Sequence, residues 1–375
     1  MRVLQIAQSL GAGGAERLVV GLCNWLSVGN ADEVVLLTIR DDKDPRNIHY
    51  LKDLSPQVRI INLHCKSGLQ LKAFWGIFQT IRKGRPDIVH SHFSPILLFL
   101  PALFLRKPSY FFTIHSMSER ILAHYNLIKR SAARYLFRTN KVKPVTISQA
   151  CHQSYQRAYH LNNDICITNG CEPLQTTSRF PLVKEETDKL KQNAETVVFI
   201  HVARNTKPKN HERLFHAFMR LERENVNFLL IVLGDKYEPW TERLKGSMKI
   251  VLLGIKDNVG DYMAVADYFV LSSDWEGLPI SLLEAMSMGV TPVSTPAGGV
   301  VDIIKDGVNG YVTEGFDDEE FYRKLKQAIN EKGSISSEKV KDDYRNNYSM
   351  ETCAMKYYEQ YKIYDSIKRR PSSLS

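Results

Sequence analysis

The stretch YFVLSSDWEGLPISLLEAMSMGVTPVS, residues 268–294, reads as strand, loop, helix and strand. Tyr268 to Leu271 is a short apolar run without alternation, the pattern of a strand covered on both faces, and Thr291 to Ser294 reads as a second strand. Between them, Pro279 suits the first turn of a helix, and Gly289 suits its end. The unit predicts parallel strands joined by a crossover helix. Free N–H groups at the start of such a helix bind anions, a diphosphate among them. Glu276 sits in the loop at the mouth of this site, and Glu284 lies on the helix behind it. Two carboxylates so placed accept hydrogen bonds from several hydroxyls, as a sugar and a ribose present them. Alone they would read as solvated charges at a helix start; the surrounding sequence favours a site.

Working outward, the same alternation fills the chain. Downstream of residue 195, Val197 to Val202, Asn227 to Leu233 and Ile250 to Leu253 read as further strands. Upstream, strands are expected at Val3 to Ala7, Glu33 to Ile39, Arg59 to Leu63, Asp87 to His90, Tyr110 to Ile114 and Val145 to Ser148. Helices are expected at Ala15 to Leu26 and Leu71 to Lys83. The pattern breaks in a polar stretch after Cys171. The expected organisation is a Rossmann-like domain over 1–172, a linker over 173–195 that includes a short helix, and a second Rossmann-like domain over 196–352. A tyrosine-rich helix and tail follow over 353–375, with residues 369–375 frayed. A length of 375 residues with 43% hydrophobic content fits two cores better than one. Open parallel sheets bind ligands at the carboxyl ends of their strands, which points to a cleft between two such sheets.

Lys and Arg number 50 against 41 for Asp and Glu, an excess of nine that suits an anionic partner. The six cysteines are scattered without metal-ligand spacing and read as reduced thiols of a cytosolic protein. The opening MRVLQIAQSLGAGG reads as a first strand and not as a signal peptide. Pro95 to Leu105, the most apolar stretch, is too short for a bilayer and reads as a buried helix.

Three further elements carry chemistry. In HVARNTKPKNH, residues 201–211, Arg204 and Lys209 flank a loop after a strand. Arg presents a fixed fork of donors and Lys a point charge, and both can converge on a pyrophosphate as negative charge builds on departure. In LGAGGAER, residues 10–17, Gly13 and Gly14 let backbone approach a phosphate or sugar, although the spacing is not the dinucleotide fingerprint. In Thr113-Ile-His115-Ser116, where a strand ends, His115 could hold a sugar or stabilise its charge, against the plainer reading of an ordinary polar residue. His90-Ser-His92 has metal-ligand residue types, but no carboxylate cluster accompanies it, and no metal is expected.

Taken together, these elements resemble glycosyltransferase family 4, whose members transfer sugars with retention of anomeric configuration on a GT-B fold. The resemblance spans nearly the whole chain. Its most specific part is the E-x7-E element, Glu276 to Glu284. GGAER at 13–17, ITNG at 167–170, VLLGIKDNV at 251–259, ADYFVLSS at 266–273 and VTPVSTPAGGVVDIIKDGVNGYV at 290–312 also fit. The resemblance implies that Arg204 and Lys209 bind the donor diphosphate. Glu276, with the N–H groups of Gly277 and Leu278, would contact the transferred sugar. Ile280 and Ser281 would offer N–H groups to the phosphates, Glu284 would hold the ribose, and Gly254 and Ile255 would meet the base. Gly13 and Gly14 would approach from the first domain, and His115 would support the sugar. It also implies a C-terminal helix crossing back to the first domain, a UDP- or GDP-linked donor, and no metal or other cofactor. Ala203 stands where glycine is usual, GDKYEP at 234–239 replaces the common GDGP turn, and Leu278-Pro279 replaces Phe-Gly. These departures bear on donor identity more than on activity.

The first domain is then expected to present the acceptor. Residues 106–143 hold nine Lys or Arg and one acidic residue, Glu119, with Ile121, Leu122, Tyr125, Ile128, Tyr135 and Leu136 as an apolar stripe. Such a segment either lies on an anionic membrane or faces the core with a basic rim. The expected activity is transfer of a sugar to a glycan or lipid-linked acceptor in bacterial surface polysaccharide synthesis, such as lipopolysaccharide, capsule or exopolysaccharide. The expected setting is the cytoplasm, on the inner face of the plasma membrane. The alternatives are a related epimerase, hydrolase or phosphorylase, and a nucleotide-sugar-binding protein without catalysis. No nucleic-acid motif accompanies the basic charge, so no nucleic-acid partner is expected.

Overall fold

The computed structural model describes residues 1–66 and 71–369. The chain divides into two compact units, Met1–Cys171 with the segment from Met350 onward, and Glu172–Ser349. In the first unit the strands are β1 (Arg2–Ala7), β2 (Glu33–Arg40), β3 (Arg59–Cys65), β4 (Ile88–Ser91), β5 (Ser109–Ile114), β6 (Lys143–Thr146) and β7 (Ile165–Cys166). They form a parallel sheet in the order β3-β2-β1-β4-β5-β6-β7. Helices α1 (Gly14–Ser27), α2 (Leu71–Gly84), α3 (Phe99–Phe104), α4 (Ser118–Ala123), α5 (Leu127–Arg138) and α6 (Gln149–Tyr159) connect them.

Apolar strands without alternation make sense once both faces are followed. Val3, Val34, Leu36, Ile88 and Phe111 point into one core, and their neighbours Leu4, Val35, Leu37, Val89 and Phe112 point into the other. Strands β1, β2, β4 and β5 therefore each separate two cores.

The second unit holds α7 (Phe180–Leu190), β8 (Val197–Val202), α8 (His211–Arg223), β9 (Phe228–Leu233), α9 (Glu238–Arg243), β10 (Ile250–Gly254) and α10 (Val259–Met263). It continues with β11 (Tyr268–Leu271), α11 (Ile280–Ser287), β12 (Thr291–Ser294), α12 (Val300–Ile303), β13 (Tyr311–Val312), α13 (Asp318–Asn330) and α14 (Ser337–Asn347). Its sheet is parallel, in the order β10-β9-β8-β11-β12-β13. The last helix, α15 (Met350–Arg369), belongs to the first unit, where Tyr357 and Tyr361 are fully buried. The Met350 amide donates to the carbonyl of Cys171 at 2.9 Å and anchors the returning chain.

Three details differ from the sequence reading. The stretch 173–195 packs within the second unit: α7 buries Val183 and Thr187, and Thr177 donates twice to Asp261, at 2.6 and 2.7 Å. The basic segment 106–143 holds β5 and two helices, α4 and α5, and not one amphipathic run. Leu136 of its stripe is buried in the core, Ile121 and Leu122 pack against that core, and Ile128 and Tyr135 face outward with Leu127. The apolar stretch 95–105 is likewise mixed, burying Leu97, Leu98 and Ala102 while Leu100 and Phe104 stay exposed. No helix among the described residues is long and apolar enough to cross a membrane. Of the tail expected to fray, residues 370–375 lie outside the described residues.

Candidate active site

In each unit the strand order reverses direction at one place, between β1 and β4 in the first and between β8 and β11 in the second. Loops leaving adjacent strands there diverge to opposite faces and open a crevice at the carboxyl edge. Arg204, Lys209 and Glu276 follow the two switch strands of the second unit and Gly13 follows β1 of the first, whereas His115 follows the neighbouring β5 and Gly254 and Ile255 close the edge strand β10.

In the second unit, the loop after β8 carries Arg204 and Lys209, and the loop after β11 carries Glu276. Lys209 Nζ lies 2.6 Å from Glu276 Oε1, and Ser273 Oγ donates to the same oxygen at 2.6 Å. Backbone contacts stitch the two loops together. The Asp274 amide donates to the Pro208 carbonyl at 2.8 Å, and Ser272 Oγ bonds the carbonyls of Lys209 and Asn210 at 2.9 and 3.1 Å. Arg204 is exposed in the same loop, while Lys209 and Glu276 are half-buried.

Below the Glu276 turn, α11 starts after Pro279 and ends in a Schellman motif. Gly289 N–H bonds the Met286 carbonyl at 2.9 Å and Val290 N–H the Ala285 carbonyl at 3.0 Å, with Gly289 at φ +77°. Ile280 and Ser281 form the first turn of α11, and Glu284 is buried one turn on. The loop after β12 holds the turn from the other side: Gly299 N–H donates to the Gly277 carbonyl at 2.8 Å. Gly298 has φ +56°, and a Cβ there would overlap the Glu276 carbonyl oxygen, so only glycine allows this approach. Gly254, at φ +71°, and Ile255 close β10, where Ile255 exposes an apolar side chain.

Two families match the chain: Glycosyltransferase Family 4 over residues 12–170 and Glycosyl transferases group 1 over residues 183–348. The chain belongs to glycosyltransferase family 4. An uncharacterized glycosyltransferase of Methanocaldococcus jannaschii is 26% identical over 73% of this chain and 73% of its own. The UDP-Gal:alpha-D-GlcNAc-diphosphoundecaprenol alpha-1,3-galactosyltransferase of Escherichia coli is 23% identical over 70% of this chain and 71% of its own. Among solved structures, HepE of Anabaena in complex with UDP-glucose superposes with a TM-score of 0.79 at 18% identity, covering 97% of this chain and 100% of that one. That last likeness establishes the GT-B fold, two Rossmann-like units.

Several residues that shape these two loops of the glycosyltransferase escaped the sequence reading. Arg213 is buried on α8. Its guanidinium donates to the Ser272 carbonyl at 3.0 Å, Asp274 at 2.9 Å, Asp318 at 2.7 Å and the Phe316 carbonyl at 2.7 Å. Asn210, at φ +43°, caps α8 by accepting from the Arg213 amide and reaches Asp274 at 2.9 Å. The available signal was the Asn-His-Glu-Arg run opening a helix after a basic loop. Beneath the loop, Tyr237 donates to the Ala203 carbonyl at 2.9 Å, and His211 Nε2 lies 2.8 Å from the Tyr237 hydroxyl and 3.1 Å from His201 Nε2. Burial, with Lys209 adding, pushes His211 down to about 4. A Cβ on Gly234 would overlap the Ala203 carbonyl oxygen, so a close backbone approach replaces the usual turn.

In the first unit, Gly13 precedes α1, Gly14 opens it, and His115 follows β5. The glycine with no room for a side chain is Gly11, whose Cβ would sit 2.7 Å from the Arg46 carbonyl oxygen; at Gly13 it would meet only the end of the Glu16 side chain. His90 and His92, considered above as a metal pair, use both ring nitrogens in hydrogen bonds: His90 with Tyr361 and Thr113, His92 with His115 and Gln5. Among the described residues no disulfide joins the six cysteines.

Proposed function

We propose that this chain transfers a sugar, with retention, from a UDP- or GDP-linked donor to a glycan or lipid-linked acceptor in bacterial surface polysaccharide synthesis. The observation that carries the reading is the Lys209–Glu276 pair at the switch point of the second unit. A cation and a carboxylate held together there match the two ends of a nucleotide sugar: phosphates for Lys209 and Arg204, hydroxyls for Glu276. In this role Glu276 leaves Lys209 for the sugar as the diphosphate takes its place. Charge growing on the departing β-phosphate is met by Arg204, Lys209 and the first turn of α11 at Ile280 and Ser281. The N–H groups of Gly277 and Leu278 assist Glu276, Glu284 holds the ribose, and Gly254 and Ile255 receive the base. Gly13, Gly14 and His115 serve the sugar and phosphate from the first unit.

The relative from E. coli is named for a UDP-galactose donor and a diphosphoundecaprenol-linked acceptor, and the HepE structure holds UDP-glucose. They support a uridine donor and a lipid-linked acceptor as the first pair to test. An exposed basic face on α5, with Leu127, Ile128, Lys129, Arg130, Arg134 and Arg138, suits the surface of an anionic membrane where such an acceptor resides. The role assigned to the Lys and Arg groups needs no metal, so turnover is expected in chelator.

Melting the purified protein with UDP- and GDP-sugars identifies the donor, because a ligand of the folded state raises its melting point. Release of nucleoside diphosphate is then followed with and without undecaprenyl-diphosphate-linked sugar. Acceptor-dependent release is the expected result. Donor binding with no release under any acceptor would leave a binding protein, and acceptor-independent release a hydrolase.

A further inference from the structure

In the first unit, a chain of hydrogen bonds runs from the last helix to His115, and its polarity sets which ring nitrogen of His115 carries the proton. Its strand members lie in the carboxyl halves of three adjacent strands or just past them: Gln5 on β1, His90 on β4 with His92 just beyond it, and Thr113 on β5 with His115 just beyond it. His115 Nε2 lies 3.1 Å from His92 Nδ1, and His92 Nε2 lies 2.9 Å from Gln5 Oε1. Gln5 Nε2 donates to the Tyr361 hydroxyl at 3.1 Å, and that hydroxyl also bonds His90 Nδ1. His90 Nε2 lies 2.7 Å from Thr113 Oγ1, which lies 3.2 Å from the Tyr357 hydroxyl.

Each link constrains the next. Burial keeps all three histidines neutral, holding His90 and His92 well below the ordinary imidazole range and His115 down to about 4. A neutral imidazole has one donor nitrogen and one acceptor nitrogen. The Gln5 amide gives its nitrogen to Tyr361 and turns its oxygen to His92, so His92 donates from Nε2. Its Nδ1 is then an acceptor, and His115 donates from Nε2. A lone pair is left on Nδ1 of His115, a residue that is partly exposed. On the other branch, Tyr361 accepts from Gln5 and gives its own proton to His90.

We propose that His92, Gln5 and Tyr361 are positioning residues that hold His115 as its Nε2–H tautomer, so that Nδ1 accepts a hydrogen bond from a hydroxyl of the sugar. This rests on the function proposed above and narrows it. A neutral Nδ1 acceptor selects a donor group, a sugar hydroxyl, and disfavours a phosphate oxygen, which only accepts. It also makes the far end of the chain part of the site's support. Tyr357 and Tyr361 are four residues apart on one face of α15, and both end in this network.

The test uses the full chain labelled with 15N at histidine, at pH 7, with the His115 resonances assigned by their loss in His115→Ala. The expected spectrum shows His115 Nε2 protonated and Nδ1 bare. Tyr361→Phe keeps the ring that packs on Phe111 at 5.1 Å between centroids and removes only the hydroxyl. In that variant the His115 shifts should move toward a mixture of tautomers. Its kcat should fall about five- to tenfold, the worth of one hydrogen bond, with donor KM changed by less than about twofold. A wild-type proton on Nδ1, the arrangement with the Gln5 amide turned over, overturns the proposal, and the wild-type spectrum decides this even if Tyr361→Phe does not fold. An unchanged His115 spectrum in folded Tyr361→Phe also overturns it. The expected tautomer with full turnover in His115→Ala overturns the sugar contact, while variants of Lys209 and Glu276 test the donor site separately.

Discussion

Lys209 and Glu276 are 67 positions apart in sequence, yet their charged groups lie 2.6 Å apart where the sheet of the second unit changes direction. In the proposed function the pair joins the two motifs that a nucleotide sugar would bridge. Lys209→Ala and Glu276→Ala should each lower kcat by about a hundred- to a thousandfold, the usual effect of losing one preorganised charge at a developing anion. Both groups are half-buried at a loop edge, so both variants should stay folded. Circular dichroism and steady-state release of nucleoside diphosphate check the two halves of this expectation. Normal turnover in either folded variant removes that residue from the site.

Gly298 and Gly307 give a controlled contrast. Both have positive φ, +56° and +70°, but a Cβ on Gly298 strikes the Glu276 carbonyl, whereas nothing lies within 4 Å of one on Gly307. Gly307→Ala should cost about 1 kcal/mol of backbone strain and leave transfer intact. Gly298→Ala should cost more than that and also displace Glu276, lowering kcat. Thermal melting and kinetics of the two variants separate strain from displacement. Equal effects would show that the Glu276 turn does not depend on the close approach.

Arg213 ties the loops after β8 and β11 together from below. Its removal leaves Asp274 with Asn210 and takes a buried donor from two backbone carbonyls, and because Asp274 is itself a third exposed the loss is about 1–3 kcal/mol. Arg213→Met should therefore melt markedly lower and bind donor more weakly. Arg213→Lys should rescue little, because an ammonium cannot span four acceptors in the guanidinium plane. Denaturant unfolding of the three proteins gives the ordering.

His211 supplies a pH dependence. Its folded value of about 4 lies below the ordinary histidine value near 6.5, with burial the main cause and Lys209 the second. The unfolded chain therefore takes up the proton first as pH falls. Stability is complete above the unfolded value and declines between about 6.5 and 4, by roughly 2 kcal/mol at pH 5 from this one residue. The melting temperature should drop from pH 7 to pH 5, and His211→Leu should flatten that slope. An unaltered slope would assign the acid sensitivity to other groups, the buried His90, His92 and His201 first among them.

Much of this was legible in the sequence because the period of apolar residues and the punctuation by Gly and Pro are local signals. The strand–helix–strand reading of 268–294 and the loop positions of Arg204, Lys209 and Glu276 follow from them. Arg213 was not legible, because its role comes from carbonyls at 272 and 316 that only the folded sheet brings near. The stretch 173–195 looked like a linker because it is polar, yet Thr177 and Asp261 show that polar side chains can dock a segment as firmly as apolar ones. The stripe over 121–136 misled for a related reason. One spacing of apolar residues served two helices, and only the fold shows which of them the core takes.

The outward part of that stripe gives the last expectation. Leu127 and Ile128 are each 78% exposed at the start of α5, beside exposed Lys129, Arg130, Arg134 and Arg138. Apolar side chains held in solvent beside a basic rim suit an anionic bilayer, where each cation adds about 1 kcal/mol and salt weakens the sum. The full chain should sediment with phosphatidylglycerol vesicles and not with phosphatidylcholine vesicles, and should be released as ionic strength rises. Leu127→Asp with Ile128→Asp should abolish the binding without lowering the melting temperature, since neither side chain is in the core. Turnover on a water-soluble acceptor should be unchanged in that variant, while turnover on vesicle-borne acceptor should fall. Vesicle binding that survives both substitutions would move the membrane contact to another face of the first unit.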